Sequence, residues 1–162
     1  MLEEFKKIGT KSFIESLQGY VDAYKIKYPD VRIKVGTDSK QSGTKTAYVT
    51  VVCFERPSKG VHYIYKKEYR ERVKDIFTRL FKEAEYSIEV VDYLSGRENV
   101  AIHLDYSGSK TDKSSNAQKA VTQWLKSAGY IIESKPDAYA ASHAADRVLR
   151  RGVKRRRKQR ES

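Results

Sequence analysis

Apolar residues recur along the chain with two different periods, and the switches between them divide it into elements. In "TKSFIESLQGYVDAYKIKYPD" (10–30), Phe13, Leu17, Val21 and Tyr24 fall at helical spacing, with Thr10 as a cap and Pro29 as the stop. "VRIKVGTD" follows as a strand that is apolar until it ends on an acid, Asp38. "TKTAYVTVVCFE" (44–55) alternates Ala47, Val49, Val51 and Cys53 against Tyr48, Thr50, Val52 and Phe54. After the break "RPSKG", the run "VHYIYKKEYRE" (61–71) alternates again and is rich in aromatics. Three strands on short glycine-containing links predict an antiparallel meander.

The period then becomes helical. Val73, Ile76, Phe77, Leu80, Ala84, Ile88, Val91 and Leu94 make one apolar stripe, long enough to cross a sheet. "NVAIHLDYS" (99–107) is a nearly apolar strand that also finishes in an acid, Asp105. "GSKTDK" reads as a loop. "SSNAQKAVTQWLKSAG" reads as a helix with a Ser115-to-Gln118 capping box, Ala117, Val121, Trp124 and Ala128 inward, and Gly129 at its end. "YIIESKP" is a fifth strand and "DAYAASHAADRVLRR" a last helix. The order predicts an α/β fold. Its mixed five-stranded sheet has three antiparallel strands plus two parallel ones joined by crossover helices. Helices cover both faces, and one extra helix precedes the sheet.

Composition narrows the setting. No window approaches the ~18 apolar residues that span a bilayer, and "MLEEFKKIGTKSF" lacks the apolar core of a signal peptide. The lone cysteine, Cys53, can form no internal disulfide, so a reducing, cytoplasmic setting with no membrane partner is expected. Charge says more. The net value is +12, of which the tail "RRGVKRRRKQRES" (150–162) supplies +7, leaving +5 for the rest. One domain over 1–150 and a disordered basic tail over 151–162 are therefore expected. Lys154, Arg155, Arg156, Arg157 and Lys158 are candidates to hold a nucleic-acid backbone, RNA or DNA.

The acids carry the chemistry. If the strands ending in Asp38 and Asp105 lie parallel and adjacent, both carboxylates reach the sheet edge where open α/β sheets bind ligands. Two bare carboxylates there repel unless a cation separates them, and oxygen ligands without cysteine point to Mg²⁺ or Mn²⁺. On the long helix, Glu83 lies about 80° from the centre of the apolar stripe, Glu85 about 120° and Glu89 about 160°. Glu83 alone borders the buried face, and small Ser87 one turn on lets the helix sit close. In the last helix Asp146 and Asp137 are both available as a further ligand, Asp137 also suiting an N-cap. His143 can shuttle a proton or contact phosphate. Ser39, Lys40 and Lys110 flank the edge.

"IKVGTDSK", "RLFKEAEYSIEVVDYL", "VAIHLDYS" and "KPDAYAASHAADR" together resemble the YkuK-like group, a ribonuclease H-related family of uncharacterised function. The resemblance covers roughly 10–150 and implies a ribonuclease H-like fold. It also implies that Asp38, Glu83, Asp105 and Asp146 form a four-acid site for two divalent ions, Mg or Mn. Such a site hydrolyses phosphodiester bonds, one ion activating water and the other stabilising the leaving oxygen. The alternative is a non-catalytic nucleic-acid-binding protein that keeps the same scaffold.

Overall fold

In the computed structural model, residues 4–7, 10, 12–104, 112–134 and 148 are described. The elements are β1 (Lys6–Lys7), α1 (Leu17–Lys27), β2 (Arg32–Ser42), β3 (Lys45–Arg56), β4 (Gly60–Glu71), α2 (Ile76–Tyr93), a 3₁₀ turn (Arg97–Asn99), β5 (Val100–Leu104), α3 (Asp112–Ser127) and β6 (Ile131–Ser134). They form a six-stranded sheet in the order β1-β4-β3-β2-β5-β6. The predicted meander is β2-β3-β4, antiparallel throughout, and β5 and β6 add in parallel on its other side.

Two boundaries in and beside the sheet differ from expectation, and α3 begins at Asp112, inside the segment read as a loop, so Ser115 lies within the helix and does not cap it. The sheet has a sixth strand, because Lys6 and Lys7 pair with Tyr65 and Ile64 of β4. Phe13 bridges to Lys6 and is 58% exposed, so it belongs to that edge and not to the first helix. α1 starts only where the Ser16 side chain accepts from Gly19 N at 3.1 Å, a regular N-cap. The second difference is that β2 continues past Asp38 to Ser42. β3 is twelve residues long and pairs with it up to Ser42↔Lys45, across a turn where Gly43 takes φ 62°.

Strand alternation sorts side chains onto two faces. Ile33 and Val35 of β2, Val52 and Phe54 of β3, and Ile102 and Leu104 of β5 face one way. They are buried with Leu17 and Val21 of α1, Val90 and Val91 of α2, and Val121 and Leu125 of α3. All three described helices therefore share one face. In α3 the inward residue is Leu125, fully buried, while Trp124 turns partly outward and packs on Phe81 with ring centroids 5.1 Å apart. Ala128 is exposed as well, and Gly129 closes α3 at φ 86°. On the opposite face Ala47, Val49, Val51 and Cys53 form a second cluster with Tyr63, Tyr65 and Val148. Val148, the one described residue of the predicted last helix, is helical and packs against this cluster.

Next to the first core, His62 Nε2 lies 2.6 Å from Tyr20 Oη, and its ring stacks on Tyr24. Burial, assisted by Lys7, holds its pKa below the usual histidine value. The unfolded chain therefore binds a proton more readily than the folded one, and stability falls as pH drops below about 6.5. His62→Gln keeps a polar partner for Tyr20 and should flatten the decline in melting temperature between pH 7 and pH 5. An unchanged slope would show that His62 does not contribute.

Candidate active site

Glu83 projects from α2 towards β2. The helix approaches this closely because the residue one turn on is small: Ser87 is buried and its Oγ lies 2.8 Å from Thr37 Oγ1, which donates to Thr50 Oγ1 at 3.1 Å. Glu85 and Glu89 are exposed, as their helical angles require. Of the three glutamates, Glu83 alone reaches the sheet: the Ser39 hydroxyl donates to its Oε1. Glu83, Thr37, Leu80 and Ser87 also line a cavity of about 20 Å³, room for no more than one water.

Asp38 comes to the same place from the other side of the sheet. Its register partner is Val49, a member of the opposite-face cluster, whereas Ser39 pairs with Tyr48 on the helix side. Asp38 Oδ1 accepts from Ser39 N at 2.9 Å, so Ser39 touches both acids, through its amide and through its hydroxyl. The two carboxylates act on one another. The Glu83 carboxyl is pushed up to about 8, first by burial and then by the negative charge of Asp38; Ser39 and Arg79 only partly offset this.

The surroundings of Glu83 are rich in donors. Arg79 lies one helical turn before it on α2 and faces the same way. Tyr48 is fully buried and packs on Tyr86 with ring centroids 5.0 Å apart. Tyr48 Oη and Arg79 Nε are both buried and make no hydrogen bond among the described residues. Neither residue is among the site residues named from sequence. Arg79 could have been found from its four-residue spacing to Glu83, but Tyr48 depends on strand register, which periodicity does not specify.

On the face that carries Asp38, an ion network of buried Lys34 and His103 with half-buried Glu55 and Glu133 crosses four strands. Lys34 Nζ lies 2.6 Å from Glu55 and 2.7 Å from Glu133, and Glu133 is 3.2 Å from His103 Nε2. His103 pairs with Gly36 in the parallel ladder, so it occupies the row preceding Asp38.

Of the residues named from sequence, Asp38, Glu83, Ser39 and Lys40 are described. Asp105, Lys110, Asp137, His143, Asp146, Lys154, Arg155, Arg156, Arg157 and Lys158 lie outside the described residues. Asp38 and Glu83 each accept a hydrogen bond from Ser39, through its amide and its hydroxyl, while Lys40 is exposed on the face of Asp38. Among the described residues no three carboxylate, imidazole or thiolate groups converge as a metal site. The donors present suit a hard divalent cation: two mutually repelling carboxylates and a hydroxyl, with no thiolate nearby.

A parallel pair beside an antiparallel meander, with an acid on the central strand and another on the covering helix, agrees with the sequence match. The family model described as ribonuclease H-like matches residues 12–150. The chain belongs to the ribonuclease H-like family. No curated protein matches the sequence, and no solved structure does. Asp38 lies on β2 and Glu83 on α2. No helix among the described residues is long and apolar enough to cross a membrane.

Proposed function

We propose that the protein is a divalent-cation-dependent nuclease acting on RNA or DNA. The observation that carries this reading is the pairing of Asp38 with Glu83, in which each carboxylate raises the cost of ionising the other. A cation removes that cost, and it is the natural occupant of such a pair. Asp38 and Glu83 would hold Mg²⁺ or Mn²⁺ together with Asp105 and a terminal-helix acid, Asp146 or Asp137. When bound, the ions supply Lewis-acid activation of water and of the leaving oxygen in phosphodiester hydrolysis.

The chain's own residues set the stage for that chemistry. Ser39 fixes the Glu83 carboxyl by donating its hydroxyl, and its amide orients Asp38. Ser87 and Thr37 lock α2 onto β2, so the distance between the two acids does not depend on a loop. Arg79 supplies positive charge beside Glu83, where the phosphate of a substrate brings negative charge. Lys40 and the basic tail over 151–162 add sequence-independent affinity for the backbone.

The test uses the full chain with labelled single-stranded RNA, single-stranded DNA, duplex RNA and an RNA–DNA hybrid. Shortening of at least one substrate in Mn²⁺, suppressed by EDTA, is the expected result. Binding of these substrates without any metal-dependent shortening would make the protein a non-catalytic binder.

A further inference from the structure

Two groups beside Glu83, Tyr48 Oη and Arg79 Nε, are buried without a hydrogen bond among the described residues. Tyr48 is the register partner of Ser39, and opposed residues on neighbouring strands stand about 5 Å apart. It is therefore next to the serine whose hydroxyl holds Glu83 Oε1. Its ring packs on Tyr86 of α2 at 5.0 Å. Around that helix Arg79, Glu83 and Tyr86 fall within an arc of about 60°, so all three meet the same part of the sheet. Burial, then Tyr86 and the charge of Glu83, hold the Tyr48 phenol above its ordinary pKa, and Arg79 opposes them. The small cavity beside Glu83 is not lined by Tyr48, so a water there does not serve the phenol.

We propose that Tyr48 is a positioning residue for Glu83, donating its hydroxyl to that carboxylate when the carboxylate turns to hold a cation, and accepting in turn from Arg79 Nε. The inference rests on the cation-binding reading above and goes beyond it by naming the residue that supports the ligand. A buried hydroxyl without a partner carries its desolvation cost uncompensated, and phenylalanine would fill the same space without that cost. A carboxylate that binds a metal is itself held by outer hydrogen bonds, which fix its direction. The chain Arg79, Tyr48, Glu83 supplies such a bond and satisfies both orphaned groups at once: guanidinium N–H to phenol oxygen, phenol O–H to carboxylate. Tyr48 is 1% exposed, so it acts through Glu83 and not on a substrate directly.

The experiment reads metal binding without any activity. Thermal melts of the full chain and of Tyr48→Phe are recorded in EDTA and across a Mn²⁺ series. Phenylalanine keeps the ring on Tyr86 and removes only the hydroxyl. In EDTA the variant should melt at the parent's temperature or above it, because the orphaned hydroxyl is gone. The Mn²⁺ concentration needed for a given rise in melting temperature should increase at least about tenfold, the scale of a lost outer hydrogen bond on a metal ligand. A role in packing alone would move the EDTA melt and leave the Mn²⁺ requirement unchanged. An EDTA melt below the parent's overturns the inference, since the hydroxyl would then be bonded without the cation. An unchanged Mn²⁺ requirement overturns it too, and in both cases the nuclease reading survives. A parent protein that Mn²⁺ does not stabilise removes the cation-binding reading and this inference with it.

Discussion

Asp38→Asn is expected to reduce metal-dependent cleavage at least about a thousandfold, equivalent to roughly 4 kcal/mol of lost transition-state stabilisation. Nucleic-acid binding in the absence of metal should be unchanged. The asymmetry follows from what the substitution removes. Asparagine matches aspartate in shape and can still accept from Ser39 N, the 2.9 Å bond that orients the side chain. It carries no charge, so the attraction that holds a cation against Asp38 and Glu83 is lost. Affinity for the phosphate backbone comes instead from lysines and arginines, and above all from the tail with its +7. The measurement is a single-turnover cleavage assay in Mn²⁺ beside an anisotropy titration in EDTA. Undiminished cleavage by Asp38→Asn would sink the proposed function. Loss of binding in EDTA would show instead that Asp38 supports the fold of the binding surface.

How much of this could be read from the sequence differs from element to element. The place of Glu83 was legible because it depends on helical angle alone. With the apolar stripe of α2 fixed, residue 83 falls at its border, 85 and 89 fall outside it, and small Ser87 marks the close approach to Thr37. The meander was legible because β3 is an unbroken run rich in β-branched and aromatic residues, β4 alternates, and the links between strands are short. Features set by a partner were not legible. β2 reads as ending at Asp38, where its apolar residues stop, yet it runs on to Ser42 because β3 offers backbone partners that far. β1 has two residues, too few for any period, and its pairing with β4 draws Phe13 out of the helix that its spacing suggested. In α3, Trp124 and Leu125 are neighbours about 100° apart. Size favours tryptophan as the core residue, but the space against α2 and the sheet accepts Leu125 and leaves the indole on Phe81. The opposite facing of Asp38 and Ser39 was implicit in strand alternation. Its consequence, two acids reached from two faces and joined through one serine, needed the register and the helix together.

Glu83→Gln should make the metal-free protein more stable at high pH while abolishing its stabilisation by Mn²⁺. The Glu83 carboxyl is raised to about 8 in the folded chain, against the ordinary value near 4.3 in the unfolded one. A raised acid holds a proton in the native state that the unfolded state has already released. Its stabilising contribution is therefore complete below about pH 4.3 and is lost as pH rises through 8. At pH 9 the parent carries an ionised, desolvated Glu83 beside Asp38, and glutamine carries no such charge while still accepting from Ser39. The melting temperature of Glu83→Gln should exceed that of the parent at pH 9, and the gap should close towards pH 5. Adding metal reverses the order. A cation at a hundred times its dissociation constant stabilises the folded state by about 2.7 kcal/mol. For a chain of this size that is roughly 5–10 °C, and the shift should appear in the parent and be absent in Glu83→Gln. The measurement is a set of thermal melts at pH 5, 7 and 9, with EDTA and with a Mn²⁺ series. Equal Mn²⁺ shifts in the two proteins would mean that the ion binds away from Glu83. A variant less stable than the parent at pH 9 would mean that the two carboxylates do not repel, and the argument for a cation between them would be lost.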